Sequence, residues 1–192
     1  MSPILGIYAS QNYPRVTNSY ESIQTVTVGS TSVANVTFSS IPSTYKHLQI
    51  RYIVKSARTG NPLDELNLRF NGDTGNNYAQ HTLAGNGDIA FSNGIASGNN
   101  IELGSGFIGD SESSSQFGVG VVDILDYGSS TKTKTIRMIG GVDFNGAPIY
   151  GGRVGLGSGL WNNTSPTTSL TFYAENGNII QYSQFALYGI KG

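Results

Sequence analysis

The sequence predicts an all-β fold: an antiparallel two-sheet sandwich, jelly-roll-like, with about nine or ten strands and an extended N-terminal arm. Three observations carry that expectation. Apolar and polar residues alternate with a period of two over most of the chain, and turn-forming residues interrupt the alternation at short intervals. No segment shows a helical period. Composition points the same way, because 26 of the 192 residues are Gly and only 12% are charged, against about 25% in an average globular chain. Gly loses backbone entropy in a helix, and the abundant Ser, Thr and Asn compete there for backbone hydrogen bonds.

Residues 1–20 read as the arm. Pro3 and Pro14 interrupt regular pairing, yet Ile4, Leu5, Ile7 and Tyr8 are too apolar for a free tail and should pack on the parent domain or on a neighbouring subunit. Residues 21–192 read as one β-sandwich domain, within the usual ~100–200 residues of a domain. Val26 and Val28, then Val36 and Phe38, flank the turn Gly29-Ser30-Thr31-Ser32 and predict a first hairpin. Leu48, Ile50, Tyr52 and Val54 alternate with Gln49, Arg51 and Lys55, which describes a half-buried strand. Leu66, Leu68 and Phe70 repeat the pattern before the turn Asn71-Gly72-Asp73-Thr74-Gly75-Asn76-Asn77, and a strand follows over 78–83. Residues 84–115 are expected to be loop-heavy, with short strands at 101–103 and 107–108. The segment 116–127 reads as a central strand and forms a second hairpin with 132–142, and later strands fall at 153–161, 170–174 and 185–190. Phe38, Tyr52, Phe70 and Phe172 belong to the core by parity.

Several function classes are excluded or disfavoured. The net charge is −1 and the eleven basic residues are scattered, so no nucleic-acid or anionic-membrane surface is expected. With no Cys there is no disulfide, thiolate nucleophile or Cys-type zinc site. The first residues lack a basic and a continuous apolar region, so no signal peptide is expected, and no apolar run approaches the ~20 residues of a membrane span.

The chemical motifs present have plainer explanations. Gly104-Ser105-Gly106-Phe107-Ile108-Gly109 matches the dinucleotide pattern G-x-G-x-x-G, but no amphipathic helix follows to receive a pyrophosphate. The 71–77 turn offers oxygen ligands without the spacing of a calcium loop. His47 and His81 are the only histidines and form no zinc motif, and His47 falls on the polar face of its strand. Asp123 and Asp126 could serve as a carboxylate pair for glycoside cleavage. Asp123 is in phase with Phe117, Val119, Val121 and Leu125 and could point partly inward, while the second hairpin would bring it beside Ile136 and Arg137, where ion pairing is the ordinary outcome. No catalytic residue, cofactor or metal is therefore expected. The aromatic residues in turn-rich context, Tyr8, Tyr13, Tyr45, Tyr150 and Trp161, are candidate interface anchors; with Ile4, Leu5 and Ile7 of the arm, all but Tyr150 make up the candidate contact set.

Four stretches taken together carry a resemblance. They are Met1-Ser2-Pro3-Ile4-Leu5-Gly6-Ile7-Tyr8-Ala9-Ser10-Gln11; Phe38-Ser39-Ser40-Ile41-Pro42-Ser43-Thr44-Tyr45-Lys46-His47-Leu48-Gln49-Ile50-Arg51; Leu68-Arg69-Phe70-Asn71-Gly72-Asp73; and Gln181-Tyr182-Ser183-Gln184-Phe185-Ala186-Leu187-Tyr188-Gly189-Ile190-Lys191. The chain resembles a group of tailed-bacteriophage virion proteins treated as capsid decoration (cement) or minor tail proteins. The resemblance implies a non-enzymatic structural role on the virion surface, with the major capsid protein and further copies of the chain as partners. Trimers at local three-fold positions are the arrangement it implies. The alternative is a tail fibre or receptor-binding module contacting host surface glycans.

Overall fold

The computed structural model describes residues 19–103, 108–109 (backbone only), 115–144 and 152–192. Among the described residues fourteen strands follow one another: β1 (Tyr20–Thr27), β2 (Val36–Phe38), β3 (His47–Val54), β4 (Leu63–Asp64), β5 (Leu66–Phe70), β6 (Tyr78–Gly85), β7 (Ala90–Gly98), β8 (Ile101–Glu102), β9 (Ile108–Gly109), β10 (Gly118–Ile124), β11 (Lys134–Asp143), β12 (Gly152–Trp161), β13 (Leu170–Ala174) and β14 (Gln184–Ile190). No helix occurs among the described residues. Ten of these strands are five residues or longer, against about nine or ten expected, but the ten include β7, which the alternation does not predict; the other four are pieces of two or three residues.

The strands form an eight-stranded sheet in the order β1-β14-β3-β10-β11-β12-β6-β7 and a four-stranded sheet in the order β2-β13-β5-β8. The pair β4-β9 forms a third, minimal sheet. Every pairing is antiparallel. The two-sheet sandwich is thus present, and its period-two residues make the core. Leu48, Ile50, Tyr52 and Val54 of β3, Leu66, Leu68 and Phe70 of β5, and Phe38 and Phe172 are all buried in one cluster drawn from both sheets. Phe172 links the layers, packing edge-on against Phe38 within its own sheet and tilted at 5.2 Å against Phe185 of the other.

The glycines of β12 set how closely its neighbours approach. A Cβ on Gly157 would lie 2.5 Å from Met138 Cε, and one on Gly159 would lie 2.9 Å from the Ile101 side chain. Both positions face inward on a strand whose burial alternates.

Two expectations are corrected. The first hairpin does not form: β1 pairs with β14 and β2 with β13, in different sheets. The turn-like residues between them carry the chain from one layer to the other, and turn composition cannot distinguish a hairpin from a crossing. The stretch expected to be loop-heavy contains β7, nine residues long. β7 is an edge strand paired only with β6, and its burial shows no alternation, so backbone hydrogen bonds hold it without a side-chain signal. The second hairpin is present, with Asp123 opposite Arg137 and Ile124 opposite Ile136. The strands at 170–174 and 153–161 match β13 and β12 to within a residue.

Candidate functional site

The interface candidates of the arm, Ile4, Leu5, Ile7, Tyr8 and Tyr13, lie outside the described residues. Tyr150 does too. The other two candidates are committed within the chain. Tyr45 is half-buried, with its ring over Gly189, where an added Cβ would fall 2.3 Å from the ring. The Tyr45 hydroxyl donates to Glu21 Oε2 at 2.9 Å. Trp161 is only 1% exposed, so it is a core residue of this chain and not a surface anchor. It stacks on Phe70 at 5.2 Å and donates its indole N–H to Asp73 Oδ2 at 2.8 Å. The physical reason is local: Trp161 ends β12 opposite Tyr78, inside the inward-facing register, although the residues after it form a turn.

The 71–77 turn is closed by its own donors. Asp73 accepts from Trp161, from Asn77 Nδ2 at 2.9 Å and from the Gly75 N–H at 2.8 Å. The Trp161 hydrogen bond above all, then those from Asn77 and Gly75, lowers the Asp73 carboxyl pKa. This carboxylate is a structural clasp.

Asp123 points to the outer face, because the buried positions of β10 are Gly118, Gly120, Val122 and Ile124. The residues in phase with it are therefore on the outside, which corrects the inward reading. Arg137 donates to Asp123 Oδ2 from Nε at 3.1 Å and from Nη2 at 2.6 Å, and Gln49 donates to Oδ1 at 2.8 Å. The hydrogen bond to Asp123 raises the Arg137 pKa further. Asp126 has a positive φ of 49° and is held by Lys132 at 2.7 Å and Lys46 at 3.2 Å, which lower its pKa to about 2. Both aspartates are thus engaged by cations. His47 Nδ1 accepts from the Asp126 N–H at 3.0 Å. Four strand steps separate β3 from β6, roughly 19 Å at ~4.8 Å each, so His47 and His81 do not converge. Among the described residues no group of three or more His, Cys, Asp or Glu could hold a metal ion.

Two groupings carry no period-two signal of their own. Lys134 is fully buried, and its ammonium donates to the carbonyls of Ser129 at 2.8 Å, Lys132 at 2.7 Å and Thr164 at 3.1 Å. Burial lowers its pKa. At the end of the smaller sheet, burial and the neighbouring Glu102 raise the Glu65 pKa to about 7, against the opposing pull of Arg153.

The feature with most to offer a partner is the outer face of the eight-stranded sheet. Ile53, Leu83, Val119, Ile139, Val154 and Leu156 are each 40–63% exposed there. Register arranges them in rows across the strands. One row runs Ile53, Val119, Gly141, Val154. The next runs Val121, Ile139, Leu156, Leu83. A third row, one pleat further along, is polar: Gln49, Asp123, Arg137, Ser158, His81. Between the second and third rows lies an open depression of about 740 Å³ over β6, β7, β11 and β12. Sequence reading assigned Val119, Val121, Leu156 and their neighbours to strands but took 116–127 to be buried on both faces toward its end, whereas Val119 and Leu125 are exposed. The signal that could have exposed this face is that β10 carries valines on both parities, Val119 and Val121 on one and Val122 on the other, while only one parity can face the core.

No family model matches the chain, and no curated protein matches it. Among solved structures it is similar to a galectin of Caenorhabditis elegans, with 10% identity over 88% of this chain and 96% of that chain at a TM-score of 0.33. It is similar also to a marine PL-14 alginate lyase from Aplysia kurodai, with 8% identity over 90% of this chain and 85% of that chain at a TM-score of 0.33. Similarities of this strength carry no argument about function.

Proposed function

We propose that the chain is a non-enzymatic structural protein of a tailed-bacteriophage virion, a capsid decoration protein that binds the major capsid protein and stabilises the shell, working on the capsid surface as a homo-oligomer. The observation that carries this reading is the double row of exposed aliphatic side chains on the outer face of the eight-stranded sheet. Contiguous apolar surface of this kind marks a contact site, whereas scattered single residues do not. Each half-exposed Val, Leu or Ile that becomes covered contributes about 1 kcal/mol, so the six together supply several kcal/mol before association costs. Many copies on one shell multiply a modest single contact. The motifs shared with the decoration and minor tail group support the identity of the partner.

The test uses empty heads lacking the protein. Purified chain should co-sediment with them, and Ile139→Lys with Leu156→Glu should abolish co-sedimentation while leaving the melting temperature within a few degrees, since both side chains are exposed and the new charges face each other as an opposite-sign cross-strand pair. Recovery of the protein only in purified tails, or undiminished head binding by the double variant, refutes the reading.

A second reading, a tail fibre or receptor-binding module contacting host surface glycans, is favoured by the polar third row. Its fixed charged pair and its depression lie beside the apolar rows, and a purely apolar docking face would not need them.

A further inference from the structure

We propose that the depression floored by Leu83 and Leu156 and rimmed by Arg137, Ser158, His81 and Asn93 is a binding site for neutral, hydroxyl-rich sugar rings. The inference rests on the second reading above and names its site and ligand class.

The floor and the rim divide the work that a sugar requires. A pyranose presents C–H groups on its faces and hydroxyls around its edge. Leu156 lies directly opposite Leu83 across β12 and β6, both about half exposed, and together they offer an apolar platform for a ring face. One pleat away, Arg137, Ser158 and His81 stand opposite one another on three adjacent strands. At ~4.8 Å per strand they span roughly 10 Å, enough to follow the edge of one or two rings. Apolar walls with a few placed polar groups, in a volume of this order, are the usual composition of a ligand site.

The polar rim is held in place beforehand. Arg51 donates to Gln49 Oε1 at 3.0 Å, Gln49 donates to Asp123, and Asp123 fixes the Arg137 guanidinium through two N–H groups. The remaining guanidinium N–H groups sit on a side chain that is 78% exposed. A second group is positioned by shape: the His81 ring lies across Gly94 of β7, where a Cβ would come within 2.9 Å of its Cδ2. Any other residue at 94 would push the imidazole off that strand. Ordering these groups in advance lowers what a ligand must spend on fixing them.

Charge selects the ligand class. Asp123 pairs with Arg137 but is only 14% exposed and does not line the depression, so the rim presents the remaining guanidinium N–H groups of Arg137 with their charge already partly compensated. The oxygens of a neutral sugar edge can accept from those N–H groups, and an anion gains less there than it would beside an unpaired arginine. The Ser158 hydroxyl both donates and accepts, and the His81 ring adds a further polar group to the rim.

The experiment is a printed array carrying neutral hexose oligosaccharides and uronate oligosaccharides, probed with the full chain and with Arg137→Ala, Arg137→Lys, His81→Ala and Gly94→Val. Far-UV circular dichroism melts verify that each variant is folded, which exposed ion pairs of this kind permit. Retention of neutral oligosaccharides, weakened at least tenfold by each variant including the charge-preserving Arg137→Lys, supports the site. Neutral retention that no variant changes overturns the site while the glycan reading stands. Retention of uronates alone, lost on adding salt, overturns the ligand class. An array with no retention overturns both the site and the reading on which it rests.

Discussion

Replacing Trp161 by Phe separates a core clasp from a surface anchor. Phe preserves the stacked contact with Phe70 at 5.2 Å but removes the indole N–H that meets Asp73 at 2.8 Å. Loss of a hydrogen bond to a charged group costs about 1.5–3 kcal/mol. The smaller ring leaves a gap in a site that is 1% exposed, adding about 1 kcal/mol. The sum is about 3 kcal/mol, which in a chain of this size lowers the melting temperature by about 6–12 °C at ~2–4 °C per kcal/mol. Thermal melts followed by far-UV circular dichroism read this directly. A double-mutant cycle with Asp73→Asn should give a coupling of about 1–2 kcal/mol, since the partners touch. The pH profile gives an independent check. The Asp73 pKa is lowered in the folded state, so its contribution is present above the unfolded value near 4 and is lost as pH falls through the folded value. In Trp161→Phe the acid side of the profile should therefore be shallower. A melting temperature within 2 °C of the parent, together with a changed oligomeric state, would refute the clasp and restore Trp161 as an interface residue.

Two further outcomes follow from buried charge. Lys134→Met keeps the length of the side chain but leaves the carbonyls of Ser129, Lys132 and Thr164 without their shared donor, and urea unfolding should show a loss of about 2–4 kcal/mol, moderated because the ammonium no longer has to be desolvated. Glu65 has its pKa raised to about 7, so the folded state holds a proton that the unfolded chain releases near pH 4.5; stability should be full below that value and decline as pH rises through about 7. Urea midpoints measured from pH 5 to pH 8 should fall in the parent and stay level in Glu65→Gln.

Architecture was legible where side chains alternate against a single core. Leu48, Ile50, Tyr52 and Val54 announce β3, and the pairing of Asp123 with Arg137 follows from the length of the second hairpin. β7 was illegible because an edge strand exposed on both faces has no hydrophobic register to display. The layer change after Val28 was illegible because Gly29-Ser30-Thr31-Ser32 serves a crossing as readily as a reversal. For the candidate face, sequence supplied every residue but not the side on which it stands. Val119, Val121 and Ile139 look like core by composition, and only the opposition of Val122, Ile124 and Ile136 in the interior shows that they face out. Trp161 erred in the other direction, since its turn-rich neighbourhood hides that it ends an inward-facing row.

The paired glycines on the inner side of β12 have a consequence for how this protein can diversify. A side chain at 157 or 159 would have to displace Met138 or Ile101, while 154, 156 and 158 open outward on the same strand. A single ribbon therefore carries a crowded side and an open one, interleaved residue by residue. Libraries that randomise only the outward register could reshape what the surface grips without disturbing how the layers meet, and lineages under pressure to change partners would be expected to vary in that same every-other-residue rhythm.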